Sequence, residues 1–275
     1  MKEYCGSHFI LNGEIRGVAD FDNSLVLKGD TIYEVIRIVR GIPVFFNDHM
    51  ERLVRSTSQQ NKKLPADPSV LKQDIINLSS KEKKKEVNIK IVFNYNDERE
   101  NYLVYYIEST YPTNEQYKKG VKGILFWAER RDPQSKVMDY RLRSAIHQAL
   151  ADEDAYEALL VNNENLITEG SRSNVFFIRE GRLVTAPDNC ILKGVTRKHV
   201  IEICESEKIR LGFECVNADE LSNYEAAFIT GTSPMVLPYC CIDNVYFDVS
   251  NPMMERLRSL YMKRVEESLK EFRES

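Results

Sequence analysis

Two periodicities divide the chain. Between residues 7 and 45 apolar and polar positions alternate in short runs broken by turn residues. "HFILNGEIR" carries Asn12-Gly13 between two apolar runs, and "TIYEVIRIVRGIPVFF" carries Gly41 between two more. Such breaks between alternating runs are hairpin signals, so strands are predicted here. Along residues 31–39 the period of two places Tyr33, Val35 and Arg37 on one face. Residues 48–61, "DHMERLVRSTSQQN", switch to helical spacing behind Asn47 and Asp48, which read as the cap. "PSVLKQDIINLSSK" continues as helix. "VNIKIVFNY" and "NYLVYYIES" are predicted strands joined by a charged turn at residues 96–100.

The polar stretch "YPTNEQYKKG" has no period and reads as a linker. Beyond it the pattern predicts strands at 123–128, 158–161, 175–178 and 182–185 and helices at 141–151 and 196–207. A strand in "AAFITG" and an amphipathic closing helix, "NPMMERLRSLYMKRVEESLKEF", complete the chain. Two α+β domains follow, residues 1–115 and 116–275.

Composition narrows the classes. The chain has 275 residues, 43% hydrophobic and 29% charged, enough for one large core or two smaller ones. Its apolar runs are too short to span a bilayer, and no apolar segment follows Met1, so neither a membrane anchor nor a secretory leader is read; the expected location is cytoplasmic. Six cysteines without metal-ligand spacing read as reduced thiols, and no metal is expected. Net charge is −4, and the basic run "KEKKKE" carries its own glutamates, so it reads as solvated surface rather than a nucleic-acid footprint.

Four places carry candidate chemistry. In "ILKGVTRKHVIEI" Thr196 reads as an N-cap, leaving free N–H groups and the positive end of a helix dipole beside Arg197. That is an anion site, or simply the cap every helix needs. In "ITGTSP" Gly231 and Thr232 follow a strand, as either an N–H nest or a plain turn. Arg52 is a third cation, or one arginine of a solvated helix face. In "LITEGSRSNVFFI" the carboxylate of Glu169 stands before an apolar strand. It either accepts backbone N–H bonds in a turn or pairs with a cation, since buried acids are rare unless paired.

Resemblance joins these pieces. "GDTIYEVIRIVRGIPVFFNDHMERLVRS", "DPQSKVMDY", "YEALLVNNENLITEGSRSNVFFIREGRLVTAP", "ILKGVTR" and "AAFITGTSPMVLP" stand here in an order and spacing similar to the fold-type IV pyridoxal-phosphate enzymes. That family includes the branched-chain and D-amino-acid aminotransferases and aminodeoxychorismate lyase. The resemblance implies a two-domain α+β fold of the D-amino-acid aminotransferase kind, with pyridoxal 5'-phosphate between the domains. It implies that Lys136, in "R-x-P-x-x-K", is the Schiff-base lysine and proton carrier, and that Glu169 faces the pyridine nitrogen. By the same resemblance Arg52, Val195, Thr196 and Thr232 cradle the phosphate and Tyr140 reaches the phenolic oxygen. Tyr33, Arg37, Thr232 and Ser233 then meet the substrate.

Two motifs depart from the family pattern. The Arg-x-His pair that clamps the substrate carboxylate in D-amino-acid aminotransferases is absent from "IVFNYNDERENYLVYY", and the Gly-Asp-Gly turn is Gly29-Asp30-Thr31. The expected function is a homodimeric aminotransferase moving an amino group from an amino acid, of branched-chain or D type, to a 2-oxo acid. A lyase of the aminodeoxychorismate kind and a non-catalytic binding protein on the same fold are the alternatives.

Overall fold

Two-residue turns start the fold. Asn12 and Gly13 both take positive φ (51° and 85°), as a type I′ turn requires, and close β1 (His8–Leu11) onto β2 (Glu14–Gly17). Arg40 and Gly41 do the same (54° and 81°) between β3 (Asp30–Val39) and β4 (Ile42–Pro43). A computed structural model describes residues 4–96 and 100–274. The chain forms two compact units. The first takes in the chain up to Thr110, Ser135–Met138 and the segment from Val265 onward; the second holds Tyr111–Gln134 and Asp139–Arg264.

In the first unit β5 (Glu86–Tyr95) and β6 (Glu100–Ile107) complete an antiparallel sheet in the order β2-β1-β6-β5-β3-β4. The middle of the predicted charged turn, residues 97–99, lies outside the described residues. Alternation gives this sheet two apolar faces. One carries Ile32, Ile36, Ile38, Ile89, Ile91, Phe93, Val104 and Tyr106 against α2 (Phe46–Gln59) and α3 (Pro68–Glu82). On the other, Val92, Leu103 and Tyr105 gather with Phe9, Leu11, Phe21 and Tyr33, and with Val26 of the short α1 (Ser24–Leu27).

Helix α2 begins two residues before the predicted start, and its cap is Phe45 in a left-handed conformation (φ 51°) rather than Asn47 or Asp48. Tertiary contacts set this start. The Phe45 N–H donates to Ser268 Oγ, and the buried Phe46 ring packs edge-on to Phe272 at 5.5 Å. The altered turn is also accounted for. A Cβ on Gly29 (φ 77°) would run into the Tyr95 carbonyl oxygen, and Thr31 turns its hydroxyl to the Val26 carbonyl.

The second unit begins with α4 (Asn114–Lys119), where the sequence reads as a linker. Thr113 and Gln116 form a capping box, each side chain accepting from the other's backbone N–H, which supplies the start that the missing apolar period concealed. Its sheet runs β12-β11-β10-β14-β15-β7-β8-β9-β13, with β16 (Val245–Tyr246) on β15. The strands are β7 (Val121–Trp127), β8 (Glu157–Val161), β9 (Leu166–Gly170), β10 (Asn174–Arg179), β11 (Arg182–Thr185), β12 (Arg210–Phe213), β13 (Val216–Asn217), β14 (Ala226–Gly231) and β15 (Met235–Ile242). Helix α5 (Tyr140–Asp152) starts under the Asp139 cap, α6 (Val195–Ser206) packs on β14, and α7 (Pro252–Glu274) closes the chain. Strands β9, β12, β13, β15 and β16 have no counterpart in the sequence reading.

One polar cluster interrupts the helix-covered face of the first sheet. Glu34 of β3 is fully buried and accepts from Arg52 Nε (2.9 Å), from Arg52 Nη2 and from His49 Nδ1 (3.1 Å) of α2. Burial pushes the Glu34 carboxyl up, but Arg52 and His49 outweigh it and hold the group well below the usual carboxylate range. Burial pushes the His49 imidazole down from its ordinary 6.5, with Glu34 opposing. The folded chain thus takes up protons less readily than the unfolded chain at both groups. Their stabilisation is complete above about pH 6.5, begins to be lost as pH falls below the ordinary values of His49, 6.5, and then Glu34, 4.5, and is gone only below their depressed folded values. Urea unfolding of the wild type is expected to weaken steadily from pH 7 to about pH 4. Glu34→Gln, which strands the buried Arg52, is expected to cost about 3–5 kcal/mol at pH 7 and to remove the loss that sets in below about pH 4.5, while the loss due to the buried His49 between pH 6.5 and 4.5 persists.

Candidate active site

An exposed strand edge places Lys136. Strand β4 covers only Ile38 and Val39 of β3, so residues 31–33 have no strand on that side. Residues 136–138 fill the edge. Tyr33 N–H donates to the Lys136 carbonyl (3.1 Å), Met138 N–H donates to the Thr31 carbonyl (3.2 Å), and Ile32 bridges Val137. On the other side the segment is tied to α2. Lys136 N–H donates to Ser56 Oγ (3.2 Å), and Ser135, fully buried, bonds Gln59. The backbone of Lys136 is therefore fixed from two elements, and its Nζ lies 4.8 Å from the centroid of the Tyr33 ring.

Tyr33 and Arg37 occupy the predicted face of β3, both partly accessible, while Ile32, Glu34, Ile36 and Ile38 are buried on the other. The first unit thus brings together Lys136 and Tyr33, with Arg37 along the same strand. Arg52 is held on the opposite face by Glu34. The residue is 5% exposed, so the alternative of a solvated helix face does not apply. The partners Glu34 and His49 went unread in the sequence. A carboxylate at an inward position of an alternating strand, and a His and Arg three apart on one helix, were the available signals.

In the second unit the motif around Glu169 clamps the loop before α6. Glu169 is on β9, a strand rather than a turn, and is 3% exposed. Its Oε2 accepts the Leu192 N–H (3.1 Å), and Arg130 Nη1 lies 3.4 Å from Oε1. Asn174, five residues on, donates its amide to the Leu192 carbonyl (2.9 Å). Both backbone groups of Leu192 are thus held by the "EG-x-x-x-N" segment. Gly194 is required by the same packing, since a Cβ there would run into Asn174 Oδ1.

Gly194, not Thr196, is the N-cap of α6, with an extended backbone (φ −68°, ψ 139°) and no side-chain cap. Val195 and Thr196 are buried in the first turn, and the Thr196 hydroxyl meets Tyr261 Oη at 3.3 Å. Arg197 does not flank the helix end in solvent. It is 3% exposed and bonds Asp188 and the Ala186 carbonyl, both at 2.8 Å. Thr232 and Ser233 stand half-buried in the turn between β14 and β15, where Gly231 pairs with Met235. Tyr140 opens α5 and is 39% exposed. Arg130, beside Glu169, is a further member that the sequence reading passed over. Among the described residues no group of three His, Cys, Asp or Glu side chains is placed to hold a metal ion, and no helix is long and apolar enough to cross a membrane.

Comparison with known proteins gives this arrangement its context. The chain is 29% identical over 230 residues to the D-alanine aminotransferase of Bacillus licheniformis, covering 78% of this chain and 80% of that protein. Its fold matches the branched-chain aminotransferase of the archaeon Thermoproteus uzoniensis with norvaline at a TM-score of 0.85, covering 98% and 97% of the two chains at 22% identity. The branched-chain amino acid aminotransferase of Escherichia coli matches at 0.84, covering 95% of each chain at 17% identity. At those identities the two structures establish the α+β fold alone. Residues 31–242 match the family model described as amino-transferase class IV, a span that holds every candidate residue above, and the chain belongs to this family of pyridoxal-phosphate-dependent aminotransferases.

Proposed function

We propose that this aminotransferase binds pyridoxal 5'-phosphate through Lys136, Arg52, Tyr140, Glu169, Val195, Thr196 and Thr232. It moves the amino group of an amino acid, of branched-chain or D type, to a 2-oxo acid. The observation that carries the reading is the edge pairing that holds Lys136 against Tyr33, 4.8 Å from Nζ to ring centroid. The donor set suits the cofactor's chemistry. A buried carboxylate is present for a cationic ring nitrogen, and a helix of 12 residues with glycine at its N-cap offers N–H groups for a dianion. When bound, the cofactor supplies an electron sink for the bond at the substrate's α-carbon.

The chain's own residues do the rest. Lys136 supplies the amine that holds the cofactor's aldehyde and, once released, carries a proton to and from the α-carbon. Glu169, fixed on β9 by its bond from Leu192, keeps a negative charge beside the ring nitrogen. Arg52 brings a guanidinium already oriented by Glu34, so little rotamer entropy remains to be lost on meeting phosphate. The substrate is assigned to Tyr33, Arg37, Thr232 and Ser233, and Arg37 takes the substrate carboxylate in place of the missing Arg-x-His pair. We further propose that the working form is a homodimer, in keeping with the family resemblance.

The discriminating experiment is a panel of L- and D-amino acids against purified holoprotein. Conversion of the cofactor to its pyridoxamine form identifies transfer and the donor, whereas release of product without that conversion indicates a lyase. Lys136→Ala is expected to lose turnover by several orders of magnitude while still binding cofactor weakly, and near-normal activity would remove the assignment. Glu169→Gln is expected to slow the half-reaction by about 10²-fold with cofactor retained, read by stopped-flow absorbance. Arg37→Met is expected to raise KM for amino acids, in line with losing about 1.5–3 kcal/mol of charge-assisted contact, while cofactor affinity stays unchanged. An unmoved KM assigns recognition to the backbone turn.

A further inference from the structure

Lys90 is the one lysine among the largest fully buried side chains of the described residues, 1% exposed in the middle of β5. It stands opposite Val35 of β3 and Tyr105 of β6, on the sheet face that carries Tyr33 and Arg37. Its Nζ lies 5.0 Å from the Tyr33 ring centroid and 6.0 Å from that of Tyr105. Aromatic faces at this range favour the charged ammonium and offset part of the cost of burying it. Tyr33 is also the ring beneath the Lys136 amine. Two side-chain nitrogens at 5.0 Å and 4.8 Å from one centroid are within about 10 Å of each other.

We propose that Lys90 is a positioning residue for Lys136: through the shared Tyr33 ring its buried ammonium fixes where the Lys136 side chain lies, and its charge holds the Lys136 amine neutral and ready to react. The inference rests on the reading of Lys136 as the cofactor lysine. An amine and an aldehyde condense to an imine with loss of one water, and only the neutral amine has the electron pair that forms the new carbon–nitrogen bond. The charged and titratable groups of this unit on the elements packed against Lys136 include Tyr33, Glu34 and Arg37 of β3, His49 and Arg52 of α2, and Lys90 of β5. Glu34 and Arg52 pair with each other, and burial pushes the His49 imidazole down. Lys90 adds a positive charge on the Tyr33 side of the strand. A like charge about 10 Å away, across protein of effective dielectric about 20, lowers proton affinity by about one pH unit.

The test uses Lys90→Met, which keeps the stem and removes the charge, and Lys90→Arg, which keeps the charge. Full-length protein stripped of cofactor is mixed with pyridoxal 5'-phosphate from about pH 5 to 10, a range bracketing the shifted amine. The rate at which the attached cofactor's visible absorption grows is recorded, and borohydride reduction followed by peptide mass mapping identifies the lysine joined. The Met variant is expected to move the midpoint of the rate–pH profile up by about one unit and to slow attachment at pH 7 about tenfold, with the Arg variant restoring the wild-type midpoint. An unmoved midpoint in the Met variant, or equal shifts in both variants, overturns the proposal. So does a Met variant that fails to fold, which assigns Lys90 to stability alone. Reduction onto a lysine other than Lys136 overturns the parent reading instead, and is seen in the mass map whatever the profile does.

Discussion

The site of the first unit depends on a strand edge left open. Because β4 has only two residues, the N–H and C=O groups of β3 at residues 31–33 lack a strand partner on that side, and residues 136–138 supply one. Buried backbone groups must be paired, so this requirement brings in a segment about a hundred residues away and fixes its register to within one residue. Register is what matters for chemistry. A slip of one residue would send the Lys136 side chain to the opposite face, away from the Tyr33 ring.

Strand β3 then serves two purposes at once. Its even positions enter the helix-covered core and include Glu34, whose charge is tolerated there only because Arg52 and His49 meet it. Its odd positions present Tyr33, Val35 and Arg37, backed from β5 by Lys90. The same ten residues therefore transmit the position of α2, through Glu34, and the position of the amine, through Tyr33. Rigid alternation is what lets one strand orient a guanidinium on one face and an amine on the other without a loop between them.

Local signals were legible where the sequence alone dictates geometry. Asn12-Gly13 and Gly41 between alternating runs announce the hairpins. The alternation of residues 31–39 assigns the faces of β3. What stayed hidden depended on distant partners. The Phe45 cap is set by Ser268 and Phe272, and α4 lacks an apolar stripe and is started by two polar side chains. Resemblance supplied a list of site residues, but it did not reveal what orients them. Glu34 and Lys90 are visible as charged residues inside apolar runs, a pattern that signals a partner without naming it, whereas His49 in "NDHMER" and Arg130 in "AERRDP" stand among charged neighbours and carry no such signal.

The double grip on Leu192 makes β9, the start of β10 and the approach to α6 a single mechanical piece. Glu169 holds the N–H of that residue, Asn174 holds its carbonyl, and the Asn174 side chain fills the space above Gly194. Lengthening the chain between residues 192 and 194 would rotate the first turn of α6 relative to β9. Lengthening it at residues 187–190 would keep that grip but disturb the bonds from the buried Arg197 of α6 to Asp188 and the Ala186 carbonyl. Loop length along residues 186–194 is therefore held from both ends, by Arg197 at the front and by the Leu192 grip behind.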